Sequence, residues 1–233
     1  MISQLTEKET FGLEIDHISI YDIDNLSNVF LLQNLGLHCS EQVIERKLQG
    51  TISIVFFFEN MYLELVHIAD RDMAKKFEVE RGINILNRCR WRQTGASPFG
   101  FGLRTKPIFI PPKSNTHNIE MVNYNNFSTE NLSLIEEPLC FIIPNNLALT
   151  TWLNPLNINH QQLTSHPLEI KKLTNANITI SSKKLTNVVA LLNERQVFAI
   201  KQGDSPLLEL QFDRFARGKI IDVRPVLPMI ISY

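Results

Sequence analysis

The chain has 233 residues, of which 44% are hydrophobic and 20% charged, and its formal net charge is −1. That length buries a core without disulfide or metal staples, the composition is that of an ordinary globular protein, and the balanced charge excludes a field that would draw the whole molecule to nucleic acid or an anionic membrane. The longest apolar stretch, residues 52–58, is far short of the roughly 20 residues a spanning helix needs. Cys39, Cys89 and Cys140 are odd in number and form no CxxC pair, which predicts reduced thiols in a cytoplasmic protein rather than a disulfide framework. Residues 1–14 lack a basic start followed by an apolar run, so no leader peptide is expected.

The first predicted element is a strand at residues 13–20, alternating with period two, so that Ile15, His17 and Ser19 share one face and Ile18 and Ile20 the other. An acidic turn at residues 21–25 introduces a helix over 26–35, with Leu26, Val29, Phe30 and Leu32 as its apolar stripe and Gly36 at its C-terminal end. Three strands follow at about 40–47, 51–58 and 61–68, the last two joined by a Glu59-Asn60 hairpin loop. In the last of them Tyr62, Glu64 and Val66 share a face opposite Leu63 and Leu65. With the helix on the aliphatic side of the sheet, His17 and Glu64 both point to the helix-free side.

Residues 71–92 read as helical, broken near Gly82. A strand is expected at 99–105, a loop with a strand at 119–124, and a short buried strand at 138–143; the tract 145–166 reads as connection. The last stretch repeats the opening pattern weakly. It has a strand at 173–180, a helix at 183–193, and strands near 197–201, 206–212 and 219–226. Asn177-Ile178-Thr179-Ile180 matches His17-Ile18-Ser19-Ile20 in apolar phase, and Leu208-Glu209-Leu210 echoes Leu63-Glu64-Leu65. The expected class is α+β, built from paired βαβββ modules at 13–68 and 168–233 with a divergent middle region at 69–167.

A βαβββ unit that opens with Asp16-His17-Ile18 and ends with Tyr62-Leu63-Glu64-Leu65 resembles the vicinal-oxygen-chelate superfamily, which includes glyoxalase I, and most of all its uncharacterised glyoxalase-like domain proteins. Asn34-Leu35-Gly36-Leu37, the run from Gly100 to Thr105, the strand Phe141-Ile142-Ile143 and His166-Pro167 extend the likeness along most of the chain. In metal-using members, paired modules each supply one ligand from a first strand and one from a fourth. The resemblance therefore implies His17 and Glu64 as a half-site. Asn177 stands where a second histidine would, and Glu209 or Asp222 is the acid on offer from the C-terminal unit. An asparagine oxygen is a poor ligand for Zn²⁺ or Ni²⁺.

The leading functional expectation is a small-molecule-binding protein whose cupped sheet lacks a complete metal site, with His17, Glu64, Tyr62, Phe101 and Arg104 around the ligand. The alternative is a divalent-metal-dependent lyase, isomerase or dioxygenase, with His17, Glu64, Glu209 and Asp222 as candidate ligands and the ion as a Lewis acid. Whether the chain catalyses a reaction is left open. Each residue also has a plainer reading: a buried histidine–glutamate contact for His17 and Glu64, an ordinary aromatic core for the phenylalanines, and a rim arginine paired with a local acid for Arg104. A third reading has the apolar segment 226–233 forming an interface between two copies of the chain. No serine-nucleophile elbow, phosphate-binding glycine loop or dinucleotide fingerprint is present.

Overall fold

A computed structural model describes residues 12–22, 25–41, 43–105, 131–132, 134–154 and 156–233; the strand expected at 119–124 lies outside them. The elements in chain order are β1 (Leu13–Tyr21), α1 (Asn25–Asn34), β2 (Val43–Arg46), β3 (Thr51–Phe57), β4 (Tyr62–Ile68), α2 (Arg71–Arg81), α3 (Ile85–Cys89), α4 (Trp91–Thr94), β5 (Phe99–Thr105), β6 (Leu139–Ile142), α5 (Leu149–Trp152), α6 (Ile158–Leu163), β7 (Leu173–Ile180), α7 (Asn187–Glu194), β8 (Ala199–Gln202), β9 (Leu207–Phe212), β10 (Ile220–Asp222) and β11 (Met229–Ser232). The strands form two mixed sheets, of order β2-β3-β4-β1-β5-β6 and β10-β11-β9-β7-β8, which is an α+β architecture.

The central strand of the larger sheet, β1, runs parallel to β4 and antiparallel to β5, and the pairing with β5 shifts register between Ile15 and His17. That shift is a β-bulge at Asp16, and it reverses the parity of the strand. Leu13 and Ile15 therefore join Ile18 and Ile20 in the main core, against Val29 and Leu32 of α1. Unbroken alternation had placed Ile15 beside His17; the spacing of the apolar residues, 13, 15, 18, 20, is the trace of the bulge. On β5 the core takes Phe99, Phe101 and Leu103, leaving Gly100, Gly102 and Arg104 on the other face. The two strands of the middle stretch, β5 and β6, extend the larger sheet beside β1.

The smaller sheet is wired differently. Its first strand, β7, is followed by α7 and pairs parallel with β8, the next strand, whereas β1 pairs parallel with β4, three strands later. The strand carrying Leu208-Glu209-Leu210 is β9, antiparallel to β7. Its place in the sheet is that of β5 and not that of β4, so the local echo of Leu63-Glu64-Leu65 does not make Glu209 the counterpart of Glu64. The segment 226–233 has a place within the chain's own fold. In it β11 lies between β9 and β10, and Leu227, Met229, Ile231 and Tyr233 are core residues. Those four side chains are buried within the chain, while Val226 of the same segment is exposed.

The aliphatic faces of both sheets and the helices α1 and α7 meet in one core. Aromatic rings cross the seam: Phe58 against Phe212 with centroids 4.5 Å apart, and Phe101 against Phe198 at 4.7 Å. The β3–β4 hairpin tip also reaches across, where the Asn60 side chain both donates to the Leu173 carbonyl and accepts from the Leu173 amide, each at 2.9 Å. Asn60 thus stands in for a strand residue at the entry to β7. No described helix is long and apolar enough to cross a membrane.

Candidate functional site

The face of the larger sheet opposite α1 floors a cavity of about 260 Å³; it is not the helix-free side that the sequence suggests, because α2 and α3 pack over it. His17, Ser19 and Tyr21 reach it from β1, Tyr62, Glu64 and Val66 from β4, and Arg46 from the edge strand β2. The opposite wall is apolar. Phe77 comes from α2, Ile83 and Ile85 from the turn into α3, and Leu139, Phe141 and Leu147 from β6 and the segment after it. A polar floor under an apolar lid is the usual build of a small-molecule pocket.

The His17 ring is 3% exposed, and its position depends on its neighbours. It stacks on Tyr62 with centroids 4.5 Å apart and planes 21° from parallel, and it meets the edge of Phe141 at 5.4 Å. On the β5 side it fills the space a side chain at position 102 would need: a Cβ on Gly102 would lie 2.2 Å from His17 Cε1. Gly100 similarly admits the Tyr21 ring, 3.3 Å from where its Cβ would be. The alternation Gly-Phe-Gly in β5 is thus a cavity signal, with phenylalanine toward the core and absent side chains toward the site.

The bulge brings Asp16 to the same side as its neighbour. His17 Nδ1 lies 3.1 Å from Asp16 Oδ1, while Asp16 Oδ2 accepts from Arg104 Nη1 at 3.1 Å and from the Leu149 amide at 2.8 Å. Burial pushes the Asp16 carboxyl up, but these bonds, led by that from His17, outweigh it and hold the carboxyl below its ordinary value. Arg104 itself is 3% exposed; besides Asp16 it donates to Glu14 at 2.7 Å and to the Asn60 carbonyl at 2.8 Å. It does not line the cavity. It is paired with acids, but buried and not at a rim, and its part in the site is to anchor Asp16.

Glu64, 2% exposed, is also ionised. Burial raises its carboxyl, but the Arg46 guanidinium, His17 and the Ser19 hydroxyl reverse the shift and bring it below the usual range. Arg46 approaches Oε1 at 2.5 Å, and Ser19 donates to Oε2 at 2.8 Å. His17 Nε2 is 3.9 Å from the same Oε2, beyond hydrogen-bond reach.

Of the residues expected around a ligand, His17, Tyr62 and Glu64 come together. Phe101 does not: it is fully buried against Phe198 on the far face of the sheet, because the glycines on either side take the site face. The candidate metal set is not assembled. Glu209 pairs with Lys201 at 2.9 Å on the smaller sheet, and Asp222 pairs with Arg224 on the exposed edge strand β10. Among the described residues no three His, Cys, Asp or Glu side chains form a group able to hold a metal. Asp16, Ser19, Arg46 and Gly102 were missed as site residues. The bulge spacing and the glycine alternation signal the first and last; nothing local signals Arg46, which reaches the site from an edge strand.

No family model matches the chain, and no curated protein matches it. Among solved structures, the crystal structure of a hypothetical protein from Staphylococcus aureus is similar over 94% of this chain and 98% of that chain, with a TM-score of 0.54 and 14% identity. At that identity the likeness is one of fold.

Proposed function

We propose that this protein binds a small organic molecule between the polar face of its larger sheet and the helices α2 and α3 that cover it. The observation that carries the reading is the cavity itself: two buried, oppositely flanked polar groups, His17 and Glu64, on a floor facing a wall of apolar side chains. Ions buried this deeply cost stability unless they are fully paired. Asp16 and Arg104 on one side, and Arg46 and Ser19 on the other, hold His17 and Glu64 pointed at empty space, which is the arrangement of an orienting site and not of a core contact. The order of elements from β1 to β4 supports a kinship with the glyoxalase-like βαβββ modules. The donor set favours an organic ligand over a metal ion, because a single imidazole and a carboxylate already neutralised by arginine would hold a divalent cation weakly.

The test is a fragment screen by thermal shift and ligand-observed NMR, repeated with Leu139→Trp, which fills the cavity from its apolar wall. Stabilising fragments that lose their effect in the variant support the reading. Fragments that bind equally well to the filled variant, or no fragment at all, overturn it.

A further inference from the structure

We propose, building on the pocket reading, that His17 and Glu64 form a receptor for a group with paired N–H donors, so that the ligand is a compact apolar molecule headed by a primary amine or a carboxamide. The inference starts at Asp16. A carboxylate only accepts hydrogen bonds, and Asp16 takes donors from His17 Nδ1, Arg104 and the Leu149 amide. The hydrogen of the His17–Asp16 bond therefore sits on Nδ1, and in the neutral ring Nε2 is a bare lone pair.

That lone pair faces Glu64 Oε2 across 3.9 Å, and Oε2 is an acceptor too. Each is nine-tenths or more buried. Ser19 uses one lone pair of Oε2, and Arg46 and Ser53 also bond to the carboxylate, whose four lone pairs still leave capacity for a further donor. Two buried acceptors turned toward each other are unfavourable until a donor comes between them. A nitrogen about 2.9 Å from each, with a hydrogen for each, satisfies both at once. A hydroxyl brings one hydrogen and satisfies only one of them. A carboxylate brings a third acceptor. A divalent ion would meet two donors where it needs four or more, beside the Arg46 guanidinium. The ligand's body would then lie along Tyr62, Phe141 and Leu139, in a cavity of about 260 Å³ that suits a single substituted ring.

The experiment titrates the full chain at pH 8 with benzylamine, benzamide, benzyl alcohol and benzoate, reading amide chemical shifts by NMR. These probes share a ring and differ in the head. Benzylamine or benzamide is expected to bind at least tenfold more tightly than benzyl alcohol and benzoate, and the preference is expected to vanish in His17→Phe and in the near-isosteric Glu64→Gln. The charged and neutral arms decide which donor the site prefers. Benzoate or benzyl alcohol binding as tightly as both donors overturns the assignment and leaves the pocket reading standing. So does stoichiometric Zn²⁺ binding that is lost in His17→Phe. Failure of all four probes, where the fragment screen also finds nothing, overturns both.

Discussion

The two sheets begin from nearly the same words and end as different objects. His17-Ile18-Ser19-Ile20 and Asn177-Ile178-Thr179-Ile180 both lie on interior strands with aliphatic residues toward the shared core. On the larger sheet the other face is roofed by α2, α3 and the segment after β6, and its polar residues are buried. On the smaller sheet the corresponding face stays open: Asn175 and Lys201 are exposed, and Asn177 and Glu209 half-buried. The bulges differ as well. In β1 the bulge turns Asp16 in beside a histidine, whereas in β7 the shift falls between Leu173 and Asn175, and the Thr174 hydroxyl bonds only to backbone, donating to the Gln211 carbonyl at 3.0 Å and accepting from the Arg214 amide at 3.1 Å. A sheet face becomes a site when something covers it and when its polar groups are held by a second layer of partners.

The contrast is sharpest in the ion pairs. Replacing Arg104 by methionine leaves Asp16 and Glu14 without their cation, and for a buried charge the expected cost is about 3–5 kcal/mol, measured by urea denaturation. If Arg104→Met costs no more than a surface pair, the distinction between the faces fails.

Next comes pH. His166 sits at the edge of the larger sheet, with Nδ1 accepting from the His38 amide and Nε2 donating to the Phe57 carbonyl, both at 2.9 Å. Burial pulls this imidazole down to about 4. The unfolded chain takes up that proton near 6.5, so stability is full above about pH 6.5 and is lost as the pH falls toward 4, by on the order of 3 kcal/mol. Denaturation curves at pH 7 and 4.5 measure the loss, and a His166→Gln variant should flatten this part of the slope.

Gly102→Ala is expected to destabilise by about 1–3 kcal/mol, because the new methyl displaces the imidazole, and to abolish ligand binding. Gly203→Ala on the smaller sheet meets only the Thr179 methyl, at 2.6 Å, and should leave binding unchanged. Equal effects of the two would show that the glycine in β5 is not there for His17. The smallest effect is reserved for Lys201→Ala, which removes a solvent-exposed partner of Glu209 and should cost less than about 1 kcal/mol.

Local patterning was enough to read β4, β7 and the shared face of His17 and Glu64, because one face of each strand is buried in a continuous aliphatic core and period two then fixes the other face; in α1 it placed Val29 and Leu32 in the core but also Phe30, which is exposed. It failed where register between distant strands decides the outcome. Arg104 reads as a rim residue until β5 is laid antiparallel to β1, which puts it opposite Glu14. Glu209 echoes Glu64 in local sequence, but strand count sets it on a third strand, and β9 takes the place of β5. The bulge was legible in the 13, 15, 18, 20 spacing, but two consecutive polar residues, Asp16 and His17, look like alternation to any count that begins at His17.

The hairpin tip at Asn60 has a mechanical meaning. Its side chain is hooked into β7 and its carbonyl is gripped by Arg104, so the same residue fastens the C-terminal half and braces the acid behind His17. Neither half is a free-standing body. Heating or denaturant should melt both in a single cooperative transition, and a fragment beginning at residue 168 should fail to keep a native shape, its phenylalanines having lost the surface they were made to meet.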